Sequence, residues 1–357
     1  MNIQQLSAPL TVAWRVTVRC NLRCLHCFAS AEPYPRSGEL DDAGAWAVLR
    51  QLEKAGVFYL IVTGGEPLLR EGIFDLMEAA TRCMRVGLNT NATLVTDDIA
   101  RRLADLPVRD RVSVSLDGST AEIHDRLRGS GAFDLAVRGI EAMVKCGLPV
   151  RPFATVTALN WQDLPNIARL SRELGGYSVE FNALACGGHA VDNVPTLRLS
   201  AGDQLKAAQV AVTVAQDYEG FVGGSFIRRS HAMLSWPRGE PGPFSTAGGW
   251  LEQCGVESCA VLEDGSVAVC EAFPGLVLGN LRDCTLADIW QTSPVLGALR
   301  QPFSLEQVEG CRECGYRALC TGGCRGQAYL ATGDIRARDP VGCLASAIRE
   351  AYAEVPQ

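Results

Sequence analysis

Three cysteines early in the sequence have the spacing of soft-metal ligands. The segment RCNLRCLHCFAS, residues 19–30, carries Cys20, Cys24 and Cys27. Thiolates at this spacing bind a soft metal ion or an iron–sulfur cluster. Three protein ligands leave one position of a four-iron cluster open, and open positions are typical of catalytic rather than structural centres. By itself the segment also fits a zinc site completed by His26, or three free buried thiols.

A second group of eight cysteines lies near the other end of the sequence, where the densest part has the spacing C-x2-C-x5-C-x3-C. Eight thiols are enough for two four-cysteine centres, and thiolates alone do not distinguish structural zinc from iron–sulfur clusters. We interpret Cys83 and Cys146 as filler in helices and Cys284 as a spare thiol. The eight are Cys254, Cys259, Cys270, Cys311, Cys314, Cys320, Cys324 and Cys343.

The composition is that of an ordinary globular protein and argues against several functions. The 357 residues carry 33 basic and 40 acidic side chains, a net charge of −7, with no basic block that would favour nucleic acid. No apolar run approaches the ~18 residues of a membrane span and no signal peptide is recognisable, which predicts a cytoplasmic protein without a membrane partner. Fifteen cysteines in such a chain indicate metal or catalytic use rather than disulfides.

Strand-like and helix-like segments alternate through the first half of the sequence and must position these residues. Each apolar, β-branched run is followed by a segment with helical apolar spacing, which makes six βα-type units. Regular alternation predicts a parallel sheet with right-handed crossovers. Six units fall short of the eight of a closed barrel, so we predict a partial, open (β/α)6 barrel of the α/β class. The predicted strands are 12–18, 58–65, 86–91, 111–118, 150–157 and 178–184.

Polar and glycine-containing clusters follow the predicted strands. The three-cysteine segment follows the first strand, TGGEP the second, NTNAT the third, SLDG the fourth and ACGGH the sixth. The carboxyl ends of parallel strands meet at one edge of a sheet, where α/β proteins place their reactive groups. We therefore expect these clusters to share one functional rim.

In this order the motifs resemble those of the radical S-adenosylmethionine (SAM) enzymes. The matching features are C-x3-C-x2-C after the first strand, GGEP after the second, NTN after the third, and SLDG with HDRLRG after the fourth. The resemblance implies that Cys20, Cys24 and Cys27 hold a [4Fe-4S] cluster whose fourth iron binds the methionine part of SAM. It also implies seven further SAM-binding residues. They are Gly64, Gly65 and Glu66 near the amino group, Asn91 in the third-strand motif, Ser115 and Arg128 near the ribose and carboxylate, and His26 near the adenine.

The chemistry that the resemblance implies is reductive cleavage of SAM. One electron from the reduced cluster, supplied by a flavodoxin- or ferredoxin-type donor, cleaves a sulfur–carbon bond of SAM. The resulting 5′-deoxyadenosyl radical abstracts a hydrogen atom from a substrate C–H bond, inside a barrel mouth that limits side reactions. Two of the residues also have ordinary interpretations, Glu66 as a turn residue and Arg128 as a surface helix charge.

The C-terminal cysteines resemble the SPASM extension of radical SAM enzymes. The matching features are Gly265-x4-Cys270, the dense cysteine run and the later Cys343. The resemblance implies two auxiliary [4Fe-4S] clusters, three clusters in total, with interleaved ligands and a structural or electron-transfer role. The implied ligand sets are Cys254, Cys259, Cys270 and Cys324 for one cluster, and Cys311, Cys314, Cys320 and Cys343 for the other.

We predict three segments: a radical SAM partial barrel at 10–205, a connecting or covering segment at 206–250, and a SPASM domain at 251–350. The sequence around GGEP and SLDG resembles that of the mycofactocin and pyrroloquinoline quinone maturases. Many peptide maturases carry an extra N-terminal peptide-recognition domain, whereas this sequence reaches its cluster motif by residue 20. We therefore expect either a separate leader-binding protein or a substrate that bears no leader.

Cys186, in LACGGHA after the sixth predicted strand, suggests a particular reaction. An S–H bond is weaker than an aliphatic C–H bond, so a thiol that faces a substrate radical can return a hydrogen atom. We hypothesise that Cys186 is catalytic in the radical epimerisation of a sugar or peptide stereocentre, although it also fits a buried filler. The alternative is an oxidative peptide maturase that crosslinks, decarboxylates or dehydrogenates a precursor peptide and passes an electron to an auxiliary cluster. A non-catalytic zinc or iron–sulfur scaffold is the third interpretation.

Overall fold

The computed structural model describes residues 6–34, 36–106, 110–235, 255–273, 275–300, 305–314, 322–339 and 343. Within these residues ten strands form one sheet, arranged by chain-order number as 10-9-8-1-2-3-4-5-6-7. The strands are β1 (Thr11–Arg15), β2 (Tyr59–Thr63), β3 (Arg85–Thr90), β4 (Val112–Ser115), β5 (Val150–Val156), β6 (Val179–Ala183), β7 (Val222–Gly223), β8 (Ser258–Val261), β9 (Ser266–Ala268) and β10 (Val277–Asn280).

Helices alternate with the strands of the parallel part of the sheet. Neighbouring strands from β1 to β7 pair in parallel, and a helix follows each of them. This confirms the predicted α/β class with its βα units, and adds a short seventh strand. No helix within the described ranges has the length and apolar character needed to cross a membrane. The helices are α1 (Asp42–Ala55), α2 (Ile73–Ala80), α3 (Asp97–Asp105), α4 (Ala121–Arg128), α5 (Ala132–Lys145), α6 (Leu164–Glu173), α7 (His189–Leu197), α8 (Ala201–Asp217), α9 (Ser225–Ser235), α10 (Leu286–Thr292), α11 (Pro294–Arg300) and α12 (Arg325–Thr332).

Capping residues explain where several of these helices begin and end. The Asp41 side chain accepts a hydrogen bond from Gly44 N at the start of α1, and Gly56 ends that helix in the left-handed conformation at φ +73°. Thr96 caps α3 and Ser200 caps α8 with side-chain oxygens in the same way. These polar caps are local signals, which is why the helix positions follow from the sequence.

Alternation along β1 separates apolar packing from polar contacts. Val12 and Trp14 lie in the main hydrophobic core between the sheet and its helices, and Trp14 is only 2% exposed. Successive side chains of a strand point to opposite faces, so Arg15 lies on the other face. There the Arg15 guanidinium donates to the Glu263 carboxylate at 2.6 Å, and both side chains are buried. The buried ion pair of β1 therefore lies on the face of the sheet away from the main core.

The cysteine-rich region continues the same sheet. β8 pairs in parallel with β1, so that Thr11 lies opposite Ser258 and Val12 opposite Cys259. β8 and β9 form an antiparallel hairpin whose turn contains Gly265 at φ +85°, and β10 pairs with β9. The motif glycine is therefore a turn residue in the conformation that glycine adopts without strain.

The predicted connecting segment, 206–250, contains regular structure in its described part. It includes most of α8, then β7 and α9, and these two helices pack on one another while α9 also contacts β6. The sequence predicted only a connecting or covering segment here, without helices of its own. Residues 236–254 lie outside the described residues, and the predicted ligand Cys254 is among them.

Candidate active site

The three-cysteine loop leaves β1 and is tied to α4 by a backbone hydrogen bond. Leu25 N donates to Leu127 O at 2.9 Å. Cys20 and Cys24 are buried, and Cys27 is half-buried. Burial raises the pKa of Cys20 to about 12 and also raises the pKa of Cys24. Metal ligation requires thiolates, so a cluster bound here displaces these protons.

Two glycines allow the loops after β1 and β2 to touch. A Cβ on Gly64 would lie 2.6 Å from Thr17 O, and a Cβ on Gly65 would lie 2.5 Å from Val18 O and closer still to Arg19 O. Gly65 N also donates to Thr17 O at 2.9 Å. No side chain fits at either position without moving the backbone, so the glycines are required by close approach.

Glu66 follows these glycines and is completely buried. Its Oε1 accepts hydrogen bonds from Thr90 Oγ1 at 2.8 Å and Leu68 N at 3.1 Å, and its Oε2 accepts one from Asn91 N at 2.8 Å. Burial raises the pKa of Glu66 to about 7, although these three hydrogen bonds act in the opposite direction. The carboxylate therefore caps its own turn, which agrees with the interpretation of Glu66 as a turn residue. It also joins the loop after β2 to the end of β3.

Asn91 brings the end of β3 to the first cysteine. Its Nδ2 lies 3.8 Å from Cys20 Sγ and donates to Asn21 Oδ1 at 3.0 Å. Its Oδ1 accepts hydrogen bonds from the backbone and hydroxyl of Thr93 at 2.9 and 2.7 Å. The Asn91 amide is thus held in one orientation, with its amino group facing the cysteine loop.

Arg128 lies at the end of α4 and joins the fourth strand's loop to the cysteines. It is only 7% exposed, which excludes the interpretation as a surface charge. Its Nε donates to Asp117 Oδ2 at 2.5 Å, its Nη1 lies 3.7 Å from Cys24 Sγ, and its Nη2 lies 3.3 Å from His26 Nε2. Burial would lower the pKa of Arg128, but Asp117 and the cysteine thiols outweigh it and the pKa is raised. Ser115, the last residue of β4, is also buried and stands two residues before Asp117 in the sequence.

The residues around the loop fit a polar ligand beside a cluster. The ring of His26 is 7% exposed, and its Nδ1 is a buried atom with no hydrogen-bond partner among the described residues. Its other nitrogen, Nε2, already faces Asp117 and Arg128, so Nδ1 is the ring nitrogen left for a ligand. A ligand that reaches Nδ1 would satisfy this atom. Across the described ranges, no three His, Cys, Asp or Glu side chains are grouped as ligands of a single metal ion.

The segment after β6 packs directly on the cysteine loop. A Cβ on Gly188 would lie 2.5 Å from Phe28 O and 2.6 Å from Cys27 O, and Gly188 itself has φ +54°. His189 Nε2 lies 3.4 Å from Glu32 Oε1, beyond the same loop. The start of α7 therefore packs against the backbone of Cys27 and Phe28 at a distance that only glycine permits.

Cys186 itself lies in a different environment from the Glu66 and Arg128 groups. Its side chain lines an apolar cavity of about 80 Å³ at the ends of β5 and β6, together with Ala183, Phe226 and other residues. Burial raises the pKa of its thiol. Among the described residues the structure gives this thiol no hydrogen bond to the polar residues around the cysteine loop.

The predicted ligands of the first auxiliary cluster are partly brought together. Cys259 on β8 is buried, and burial raises its pKa to about 12. Cys270 follows β9, and Cys324 begins α12, which packs closely against Phe273 through Gly326. Cys324 is exposed, but partial desolvation of its thiol raises its pKa, and Cys270 is near enough to add to that increase.

The predicted ligands of the second auxiliary cluster are described only in part. Cys311 and Cys314 share one turn, in which Cys314 N donates to Cys311 O at 3.1 Å. Cys343 is half-buried, and Cys320 lies outside the described residues.

The most important residue that sequence reasoning missed is Asp117, which is completely buried between Arg128 and His26. Burial would raise its pKa, but Arg128 and His26 hold the pKa of this carboxyl well below its usual range. The signal was present, since Asp117 is the acidic residue of the SLDG motif itself. Thr90, which donates a hydrogen bond to Glu66, carried a similar signal as the middle residue of the NTN motif.

This geometry and the sequence both match one family. Residues 14–170 match the model of the radical SAM superfamily, and residues 253–315 match that of the SPASM iron–sulfur cluster-binding domain. The chain is 31% identical to an AdoMet-dependent heme synthase of Methanosarcina barkeri, over 95% of this chain and 97% of that protein. It is 30% identical to the mycofactocin maturase MftC of Mycobacterium tuberculosis, over 94% and 83% of the two chains. It is also 30% identical to the PqqA peptide cyclase of Methylocella silvestris, over 93% and 87%.

A solved structure has the same fold. The Streptococcus suis protein SuiB, crystallised with its precursor peptide SuiA, superposes with a TM-score of 0.74 at 19% identity, over 95% of this chain and 77% of that one. The fold and site define a SAM-dependent iron–sulfur enzyme. The chain belongs to the radical SAM superfamily and carries a SPASM domain, which confirms the resemblance seen in the motifs and implies iron–sulfur clusters and SAM as cofactors.

Proposed function

We propose that this enzyme is an oxidative maturase of a peptide substrate. The observation that carries the proposal is the 30% identity, along nearly the whole chain, to proteins named mycofactocin maturase and PqqA peptide cyclase. The substrate loses a hydrogen atom, then an electron and a proton, and so becomes oxidised by two electrons. The hydrogen atom would pass to the 5′-deoxyadenosyl radical and give 5′-deoxyadenosine, the electron would pass to an auxiliary cluster, and the proton would leave to solvent. The modified group would be crosslinked, decarboxylated or dehydrogenated.

The proposed cofactor roles rest on the family resemblance and are supported, for Cys20, Cys24 and Cys27, by the polar residues packed around their loop. Cys20, Cys24 and Cys27 hold the cluster that, when bound with SAM and reduced by a flavodoxin- or ferredoxin-type donor, supplies the 5′-deoxyadenosyl radical. Two further clusters complete a set of three. Their ligands are Cys254, Cys259, Cys270 and Cys324, and Cys311, Cys314, Cys320 and Cys343.

The protein's own side chains bind and orient SAM. The buried Glu66 carboxylate faces the methionine ammonium, and a cation there favours its ionised form despite the burial. Arg128 has a permanent charge and takes the SAM carboxylate, while His26 offers Nδ1 to a donor of the adenosine part. Gly64 and Gly65 hold the loop in place, and Asn91 and Ser115 complete the polar wall.

The test is an anaerobic reaction with peptides encoded beside the gene. Reconstituted protein, dithionite and SAM are incubated with each short peptide, and the products are examined by mass spectrometry and for 5′-deoxyadenosine. We expect one peptide to lose two hydrogens, or carbon dioxide together with two hydrogens. Formation of 5′-deoxyadenosine with an unchanged mass for every peptide would refute oxidative maturation.

Radical epimerisation through Cys186 is the competing reaction. It is favoured by the packing of Gly188 on Cys27, which brings the segment after β6 to the cysteine loop. An epimerised peptide or sugar keeps its mass in ordinary water. In deuterium oxide it gains one deuterium at the inverted carbon, whereas oxidative maturation does not require solvent hydrogen.

A step of heme synthesis is a further candidate. It is favoured by the 31% identity to an AdoMet-dependent heme synthase over 97% of that protein's length. The same anaerobic mixture with a porphyrin precursor in place of peptide distinguishes the two, because heme formation changes the visible absorption spectrum.

A further inference from the structure

Asp117 contacts four parts of the structure, namely β5, α4, the loop after β5 and the three-cysteine loop. We propose that Asp117 is the positioning residue that holds Arg128 and His26 against the three-cysteine loop, and that it controls SAM affinity without contacting SAM. This inference rests on the SAM-binding roles proposed above for those two side chains.

Asp117 is itself held rigidly. Its Oδ1 accepts a hydrogen bond from Thr155 N at 2.7 Å, one residue before the end of β5. Its backbone N donates to His124 Nδ1 at 3.2 Å, and its backbone O accepts from Asn160 Nδ2 at 3.0 Å. Anchors on β5, on α4 and on the loop after β5 leave the carboxylate one position. A group fixed in this way can transmit its position to whatever binds it.

The second carboxylate oxygen of Asp117 is shared by a side chain of α4 and a side chain of the three-cysteine loop. Arg128 Nε lies 2.5 Å from Oδ2, and His26 Nε2 lies 3.2 Å from the same atom. Arg128 is a planar fork, so fixing its Nε fixes the direction of both terminal nitrogens. One of them then lies 3.7 Å from Cys24 Sγ and the other 3.3 Å from His26 Nε2. The position of Asp117 therefore determines which way Arg128 faces the cysteine loop.

The same contact orients the ring of His26. With Nε2 against Asp117 and Arg128, the second nitrogen Nδ1 is turned away and remains buried without a partner among the described residues. Rotation of the ring would bring Nδ1 to the carboxylate and remove it from any ligand. Asp117 thus orients two groups from different segments of the chain. One is the permanently charged donor Arg128 on α4, and the other is the free Nδ1 of His26 on the three-cysteine loop.

Asp117→Asn tests this role with almost no change of volume. The carboxylate accepts on both oxygens, whereas an amide turns a donor either to Thr155 N or to Arg128 Nε, and both of those groups are donors themselves. We expect the dissociation constant for SAM to rise about tenfold, which corresponds to about 1.4 kcal/mol. Equilibrium dialysis of labelled SAM against anaerobically reconstituted protein measures it, with iron content and melting temperature recorded on the same samples.

Glu180→Gln is the matched control. Glu180 also pairs with a largely buried arginine, Arg151, at 2.5 Å, but near the start rather than the end of its strand. Glu180→Gln also replaces a carboxylate by an amide, as Asp117→Asn does. We expect its SAM affinity to stay within about twofold of the wild type. If both variants weaken SAM binding equally, the effect is a general loss of structure and the proposal is wrong.

A double-mutant cycle shows whether Asp117 acts through Arg128. We expect Asp117→Asn to weaken SAM binding less than about twofold in an Arg128→Gln background, because the group it positions is already gone. Additive losses would overturn the proposal, and so would wild-type affinity in Asp117→Asn with full iron content. If Asp117→Asn does not take up iron, Asn160→Ala loosens the same anchor more gently; a weaker loss of affinity supports the proposal, and none refutes it. SAM affinity is measured without peptide, so a failure of peptide maturation leaves this test intact.

Discussion

Replacing Gly65 by alanine tests whether the loops after β1 and β2 touch as closely as the structure has them. The new Cβ would lie 2.5 Å from Val18 O and closer to Arg19 O, so the backbone would have to retreat by roughly 1 Å to reach ordinary contact distance. That retreat breaks the hydrogen bond from Glu66 N to Arg19 O, now 2.7 Å long. Overpacking costs ~1–3 kcal/mol and a buried unpaired N–H another ~1–3 kcal/mol.

We therefore expect Gly65→Ala to lower the free energy of unfolding by ~2–6 kcal/mol, a large part of the ~5–15 kcal/mol that holds a domain folded. Urea denaturation of the protein without clusters measures this. The control is Gly297→Ala in α11, where nothing lies within 4 Å of the added Cβ. Alanine there favours the helix, so we expect a gain of ~1 kcal/mol.

The cysteine loop should report the same change. Arg19 precedes Cys20, so its displacement moves the first thiol, and we expect Gly65→Ala to bind less iron after reconstitution than the Gly297→Ala protein. Unfolding within ~0.5 kcal/mol of the wild type together with full iron content would refute the close approach.

Three further outcomes are expected. Because burial raises the pKa of Glu66 from 4.5 to about 7, the folded protein without clusters binds a proton that the unfolded chain has lost. Its stability should therefore fall by ~3 kcal/mol as pH rises through about 7, and Glu66→Gln should remove that slope in urea denaturation at pH 5 and 8. Glu263→Gln should destabilise the protein by ~3–5 kcal/mol in thermal melts, because it leaves the buried Arg15 charge poorly paired, whereas the exposed Glu78→Gln should cost under ~0.5 kcal/mol. Cys186→Ala should keep full peptide oxidation in the same anaerobic assay; loss of the oxidised product with SAM cleavage intact would show that this thiol takes part in the oxidation and contradict the expectation.

Much of the fold was predictable because its signals are local. Apolar, β-branched runs mark β1 to β6, and caps such as Asp41 and Thr96 mark helix starts. The rim of the sheet followed from topology alone, since parallel strands place their carboxyl ends at one edge. Glu66 and Asn91, from different strands, do meet there at 2.8 Å.

What the sequence could not specify are contacts between distant segments. The residues that neighbour Arg15 in the sequence do not indicate that it pairs with Glu263, far along the chain, at 2.6 Å. The buried position of Arg128 depends on Asp117, and a helical arginine looks the same in sequence whether it is buried or exposed. The pairing of β8 with β1 likewise depends on which edge of the sheet remains open after the parallel strands have formed.

That pairing connects the two cysteine-rich regions of the enzyme through one strand. β1 leads into the loop that carries Cys20, and its residue Val12 lies opposite Cys259 on β8. A shift of one residue in this register would turn Cys259 from the helix-covered face of the sheet to the other face, because strand side chains alternate. The register is protected by Val12, Trp14 and Val261, which are buried together in the main core. Strand packing rather than a linker therefore fixes where Cys259 lies relative to the loop that carries Cys20.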